Sequence, residues 1–263
     1  MSRERIRKWR TAGAALRLGL HVCALVVLTP TAVPAAEVSG PETVFAETDV
    51  IAGPGITDWA FGDPLGAGRQ DLLVARGNRV EVYAQSGAGT YEPVHTFVLP
   101  HAAPAIAAAD VNHDAVDEIL VGTAGAGSIR IYSVSPSGGA VRVGDTRYTW
   151  ATVRAVRTGD VDGDGWTDVA ALNQEGVGTL FRWTVSGWEQ VWREPATAGP
   201  AVSFLDLTDM DGDGRAELVV ARANGYVGVW RWTGASMAPA WENYPWGNPF
   251  AVGLVDIDAD GHS

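Results

Sequence analysis

The chain has one cysteine, Cys23, and one lysine, Lys8, and both fall within its first 36 residues. Beyond them, disulfides, thiol catalysis and cysteine-ligated zinc are excluded, so stability there must come from packing and bound cations. Histidine is also scarce. His95, His101, His113 and His262 follow the first 36 residues, none at metal-ligand spacing and none beside a nucleophile motif. No GxSxG elbow occurs, which removes that serine-hydrolase signature; paired carboxylates of the glycosidase kind stay open on sequence grounds. Long hydrophobic runs are missing too: the stretch Leu18 to Leu28 is well short of the roughly twenty residues that a membrane-spanning helix needs. No later segment has the period of an amphipathic helix.

That short stretch follows Arg3, Arg5, Arg7, Lys8, Arg10 and Arg17 and precedes Thr29-Pro-Thr-Ala-Val-Pro-Ala-Ala36. A basic region, a short apolar core and small residues before Glu37 predict a signal peptide over 1–36, with an uncleaved anchor as the alternative. No Arg-Arg pair points to a twin-arginine route, and Leu-His-Val before Cys23 is a poor lipoprotein site. The expected product, residues 37–263, is secreted or cell-surface and does not insert into the membrane once the leader is removed. Losing Glu4 and the six basic residues shifts the net charge from −12 to −17. A surface this acidic repels nucleic acid and anionic lipid. The expected partner is therefore an extracellular protein or a glycan.

What the chain does contain is a repeat. Five segments align, led by Asp63, Asp110, Asp160, Asp209 and Asp256, at separations of 47, 50, 49 and 47 residues. Each follows an alternating apolar stretch (Ala105 to Val111, Val153 to Val161, Val202 to Leu207) and precedes a short apolar run (Leu72 to Val74, Ile119 to Val121, Val169 to Leu172, Leu218 to Val220). A turn and a second alternating run come next, such as Arg79 to Tyr83 or Ser128 to Tyr132, then a weaker one near Thr96 to Leu99 and Arg147 to Ala151. Period two and β-branched content make all of these strands. A four-stranded unit cannot bury both faces alone, and radial repetition solves that. Sandwich domains need about twice this length per unit, and solenoid repeats are usually shorter. The expected fold is all-β: a β-propeller of four-stranded antiparallel blades, about four and the start of a fifth. Because the sequence stops at Ser263 inside the fifth loop, an open arc is expected, with Glu42 to Ile51 as a candidate closing strand.

The loops themselves have cation chemistry. Asp160, Asp162 and Asp164 stand at positions 1, 3 and 5, with Gly163 and Gly165 at 4 and 6 and Asp168 at 9. Oxygens on alternate residues of a tightly curled loop point inward, and the curl demands positive φ. With the Trp166 carbonyl at position 7, the set offers five or six oxygens, which suits calcium over zinc or copper. Asp209, Asp211, Asp213, the Arg215 carbonyl and Glu217 repeat the set in full. Asp110, Asn112, Asp114, the Val116 carbonyl and Glu118 nearly do so, but Ala115 replaces the glycine at position 6, where a Cβ resists the left-handed conformation. In the first loop Leu65 and Ala67 take ligand positions, leaving Asp63 and Asp71 and predicting a turn without metal. The fifth loop supplies Asp256, Asp258 and Asp260. An EF-hand would need a bidentate Glu at position 12 and flanking helices; Ala171 and Val220 stand there, inside strands. The expected role of the ion is to staple the structure.

Asp160-Val-Asp-Gly-Asp-Gly-Trp-Thr-Asp168, Asp209-Met-Asp-Gly-Asp-Gly-Arg-Ala-Glu217 and Phe61-Gly62 resemble the FG-GAP/VCBS-type repeat, the blade unit of integrin-α-like propellers. The resemblance covers almost all of 37–263. It implies calcium in loops between the first two strands of blades, and a role in adhesion or ligand binding or as an appendage to an extracellular, polysaccharide-acting enzyme. The resemblance carries over no catalytic residue.

Eleven tryptophans raise a carbohydrate-binding alternative. Tyr83, Tyr132, Trp183 and Trp232 read as one recurring position, hence as packing between sheets. The non-recurring Trp188, Trp192, Trp241 and Trp246 are the ligand candidates.

Overall fold

The protein is described by a computed structural model covering residues 55–244 except 86–89, 126, 136–138, 147–150 and 195–199, together with three strands nearer the N-terminus. Those are β1 (Ala14–Ala15), β2 (Ala24–Pro30) and β3 (Phe45–Ala52), antiparallel in the order β1-β2-β3. Of the expected closing strand, Glu42 to Ile51, residues 45–51 belong to β3, which pairs on one edge with Ala24–Pro30; the expected closing contact with a last blade lies outside the described residues.

Four four-stranded antiparallel sheets follow, each in simple up-and-down order. The first holds β4 (Ile56–Gly62), β5 (Asp71–Arg76), β6 (Arg79–Gln85) and β7 (Tyr91–Val98). The second holds β8 (Ala105–Ala109), β9 (Glu118–Gly122), β10 (Ile129–Val134) and β11 (Ala140–Asp145). The third holds β12 (Val153–Gly159), β13 (Asp168–Asn173), β14 (Gly178–Thr184) and β15 (Gly187–Glu194), and the fourth β16 (Val202–Thr208), β17 (Glu217–Arg222), β18 (Val227–Trp232) and β19 (Met237–Asn243). The fold is all-β, with the four sheets as successive propeller blades that do not close into a ring among the described residues. The start of the expected fifth blade lies outside the described residues.

The short apolar runs after the acidic loops are the second strands, and they are the most buried elements. Every residue of β9 and β13 is buried. Their side chains alternate between two neighbouring blades. Ile119 and Val121 pack with Leu73, Ala75 and Ile106 between the first and second sheets. Leu120, one residue over, packs with Val153, Val156 and Val169 of the third. Ala170 and Leu172 face the fourth, against Leu205, Leu218 and Val220. A strand apolar on both faces loses its register signal unless sheets cover both sides, and radial stacking supplies that cover. The fourth strands form the outer edge: Val98, Val141 and Val143 are all more than half exposed.

Two expectations shift in register. The fourth strand of the second blade is β11, Ala140–Asp145, not the segment near Arg147 to Ala151, of which 147–150 lie outside the described residues. The recurring aromatic position is also different. Tyr83 and Tyr132 pair with Leu72 and Ile119, whereas the residues pairing at Val169 and Leu218 are Phe181 and Trp230. Trp183 and Trp232 lie two residues further along. The connections from second to third strand differ in length, so counting from the acidic loop misaligns the third strands.

Candidate metal centres

Each acidic loop joins the first and second strands of its blade, and all four curl identically. Positions 4 and 6 have positive φ throughout: Gly66 and Gly68, His113 and Ala115, Gly163 and Gly165, Gly212 and Gly214. Ala115 adopts the left-handed conformation at φ 67° despite its Cβ, and His113 does so at 61°. The curl is held by the position-1 aspartate. Asp160 accepts from the Gly163 and Gly165 N–H groups at 2.7 and 2.8 Å, and Asp209 accepts from Gly212 and Gly214 at 2.7 and 2.9 Å. Asp110 accepts from Asp114 and Ala115 at 3.2 and 2.9 Å. The first loop keeps the same device, with Asp63 accepting from Ala67 and Gly68, while Leu65 packs into the apolar core.

In the third and fourth loops the structure brings together positions 1, 3 and 9. One carboxylate oxygen each from Asp160, Asp162 and Asp168 lie within 4.8 Å of one another, as do those of Asp209, Asp211 and Glu217. The position-5 residues Asp164 and Asp213 are outside these trios; each accepts the position-7 N–H, from Trp166 and Arg215, at 2.9 Å. In the second loop Val116 donates likewise to Asp114, and the Asn112 amide donates to Glu118 at 2.8 Å and Asp114 at 3.1 Å. Asp256, Asp258 and Asp260 lie outside the described residues.

Position 9 opens the second strand and is buried in it. Asp168 is fully buried, and Glu118 and Glu217 are 1% and 2% exposed. Desolvation pushes the Asp168 and Glu118 carboxyls up to about 7, reinforced by neighbouring aspartates and opposed by backbone N–H donors. Glu217 is raised for the same leading reason. Asp71 is raised as well, and its Oδ2 has no hydrogen-bond partner among the described residues. A buried acid facing two aspartates is an environment that an oxygen-coordinated cation would relieve.

Two features were not read from the sequence. First, an arginine on the third strand reaches over each trio. Arg182 contacts Asp162 at 2.6 Å, and Arg231 contacts Asp211 at 2.5 Å and Glu217 at 3.1 Å. The repeated Phe181-Arg182-Trp183 and Trp230-Arg231-Trp232 were the available signal. Second, successive loops are linked. Position 8 of each loop donates to the position-1 carbonyl of the preceding one: Asp117 N–H to Asp63, Thr167 Oγ1 to Asp110 and Ala216 N–H to Asp160, at 3.1, 3.1 and 2.6 Å.

The tryptophans divide. Trp192 is buried and packs edge-on against Trp230, so it is core and not a ligand platform. Trp241 is 51% exposed, Trp188 and Trp183 border a cleft, and Trp246 lies outside the described residues.

Four-stranded blades whose first turn is an acidic loop define a propeller repeat protein. The FG-GAP-like repeat matches residues 63–121, 160–220 and 209–263, and the chain belongs to that family. All five aligned segments lie within the matched stretches, which begin at Asp63, Asp160 and Asp209. No curated protein is significantly similar to the chain.

Proposed function

We propose that the chain is an exported, calcium-stabilised propeller that acts without catalysis of its own, as a binding, adhesion or scaffold module for an extracellular partner. The observation carrying this reading is the carboxylate trio repeated at one place in the third and fourth blades. All its donors are hard carboxylate oxygens, the set that calcium takes. Asp160, Asp162 and Asp168, with Asp164 and the Trp166 carbonyl, would hold one ion; Asp209, Asp211, Asp213, the Arg215 carbonyl and Glu217 a second. The Asp110 loop and the Asp256 loop are further candidates. A divalent ion at these oxygens would take over the charge compensation that Arg182 and Arg231 provide. Because each loop is linked to the loop before it, the ion would stiffen the junctions between blades. Proteins built from FG-GAP-like repeats are typically extracellular binding modules, which agrees with a leader over 1–36.

The test uses protein recovered from the medium of expressing cells, whose N-terminus is expected at Glu37. Calcium at about a hundred times its dissociation constant should stabilise by about 2.7 kcal/mol per site, and EDTA should remove that gain. Asp211→Ala should lose the share belonging to the fourth loop alone. Identical melting in calcium and in EDTA would sink the metal reading, and retention of the protein inside the cell would sink the export reading.

A further inference from the structure

A cleft of about 570 Å³ opens between the second and third blades. Trp183 and Trp188 of the β14–β15 hairpin border one side, with Ser186 between them; Asn112, Val143 and Asp145 of the second blade border the other. The two indole rings stand 4.9 Å apart at 75°. Trp166 stacks on Trp183 at 5.8 Å, and His113 of the preceding blade lies 4.0 Å from Trp166. An aromatic series thus crosses the blade junction and ends at the cleft.

The geometry points to a binding site for a short neutral saccharide. The volume is that of a small-molecule site, and its make-up is the usual one of apolar walls with a few convergent polar groups. The parts of the Trp183 and Trp188 indoles that border the cleft offer apolar, π-rich surface to the C–H groups of a pyranose ring. Amide, hydroxyl and carboxylate groups at the margin match the ring's hydroxyls, each of which both donates and accepts. Charge selects among sugars. Glu118 and Asp145, the latter paired with Arg142, border the cleft, Asp114 sits beside Asn112, and the whole chain is at −12, so the surroundings disfavour uronic and sialic acids. Val143 and Asp145 lie on the edge strand β11, so strand addition by an extended peptide is the competing outcome that the experiment reads. The site shares Asn112 and Glu118 with the Asp110 loop but none of its lining with the carboxylate trios of the third and fourth blades, so it does not depend on an ion at those trios.

The experiment screens the full chain, in calcium, on an array of neutral and acidic oligosaccharides. The strongest neutral disaccharide is then titrated against tryptophan fluorescence. Neutral pyranosides are expected to bind and acidic ones to be excluded. Val143→Trp, at a position 54% exposed on the cleft margin, fills the space without removing core packing; it should abolish binding and leave melting unchanged. Trp188→Ala should weaken binding about tenfold, the worth of one aromatic contact. Trp188 also packs against the core between the second and third blades, so Val143→Trp decides the matter if Trp188→Ala fails to fold. Absence of any neutral binder overturns the proposal, as does binding that survives Val143→Trp, or capture of extended peptides in place of sugars. The melting response to EDTA, read on the same samples, keeps failure of this site distinct from failure of the calcium reading.

Discussion

His113 and Ala115 are the two residues outside glycine with left-handed backbones among the described residues. Each carries a Cβ where the other three loops have glycine, at a cost of about 1–2 kcal/mol per residue. His113 has a compensating contact in the Trp166 ring; no comparable contact is found for Ala115. Ala115→Gly is therefore expected to stabilise the protein by about 0.5–1 kcal/mol once glycine's greater unfolded-state freedom is deducted. A rise of one to three degrees in melting temperature checks it, and an unchanged or lowered value would mean that the alanine is accommodated without strain. The spacing of Asp160, Asp162 and Asp168 was legible from sequence because a curled loop is a local device. Arg182 and Arg231 were not, because their partners lie 20 residues away in the chain and meet them only when the third strand folds back. The sequence also could not tell Trp192 from Trp188, since burial depends on which sheet comes to lie over each.

Strands were legible by their period of two, and the second strands by being apolar throughout. The fourth strand of the second blade was not, because Ala140-Val-Arg-Val-Gly-Asp145 is an exposed edge with little apolar alternation to read. Joints between blades were hidden for a related reason: they are made by single polar side chains that no pattern announces. Asp58, 7% exposed on β4, accepts the buried Ile106 N–H of β8 at 3.1 Å. It sits where the β4–β5 register shifts, between Ile56 and Asp58, and such a bulge re-aims a side chain. Asp58→Ala leaves that N–H without its acceptor inside the first junction. The expected loss is about 2 kcal/mol, the worth of a charged hydrogen bond to a buried donor. Asp58→Asn, which keeps an acceptor, should lose less. Urea unfolding of both variants measures the difference, and equal losses would show that the side chain matters for packing and not for the joint.

Across the whole molecule, the buried position-9 acids are expected to tie stability to pH and, under the proposed function, to calcium as well. Asp168 and Glu118 are buried at matched places in adjacent blades, with carboxyls raised to about 7 from ordinary values near 4. In calcium-free protein the folded state therefore holds protons that the unfolded chain has already released. Their contribution is fully present below the unfolded values and is lost as pH rises through about 7. With EDTA present, the melting temperature should accordingly decline from pH 5 to pH 8 on account of these two groups. Saturating calcium should flatten or reverse that decline, because a divalent ion binds the ionised carboxylates and expels their protons. Asp168→Asn, uncharged at any pH, should reduce the decline in EDTA and also reduce the gain from calcium. Differential scanning calorimetry at matched ionic strength reads both effects in one series. If the EDTA curve rises with pH, or if Asp168→Asn leaves its slope untouched, the burial of these acids is not what sets the pH dependence of the propeller.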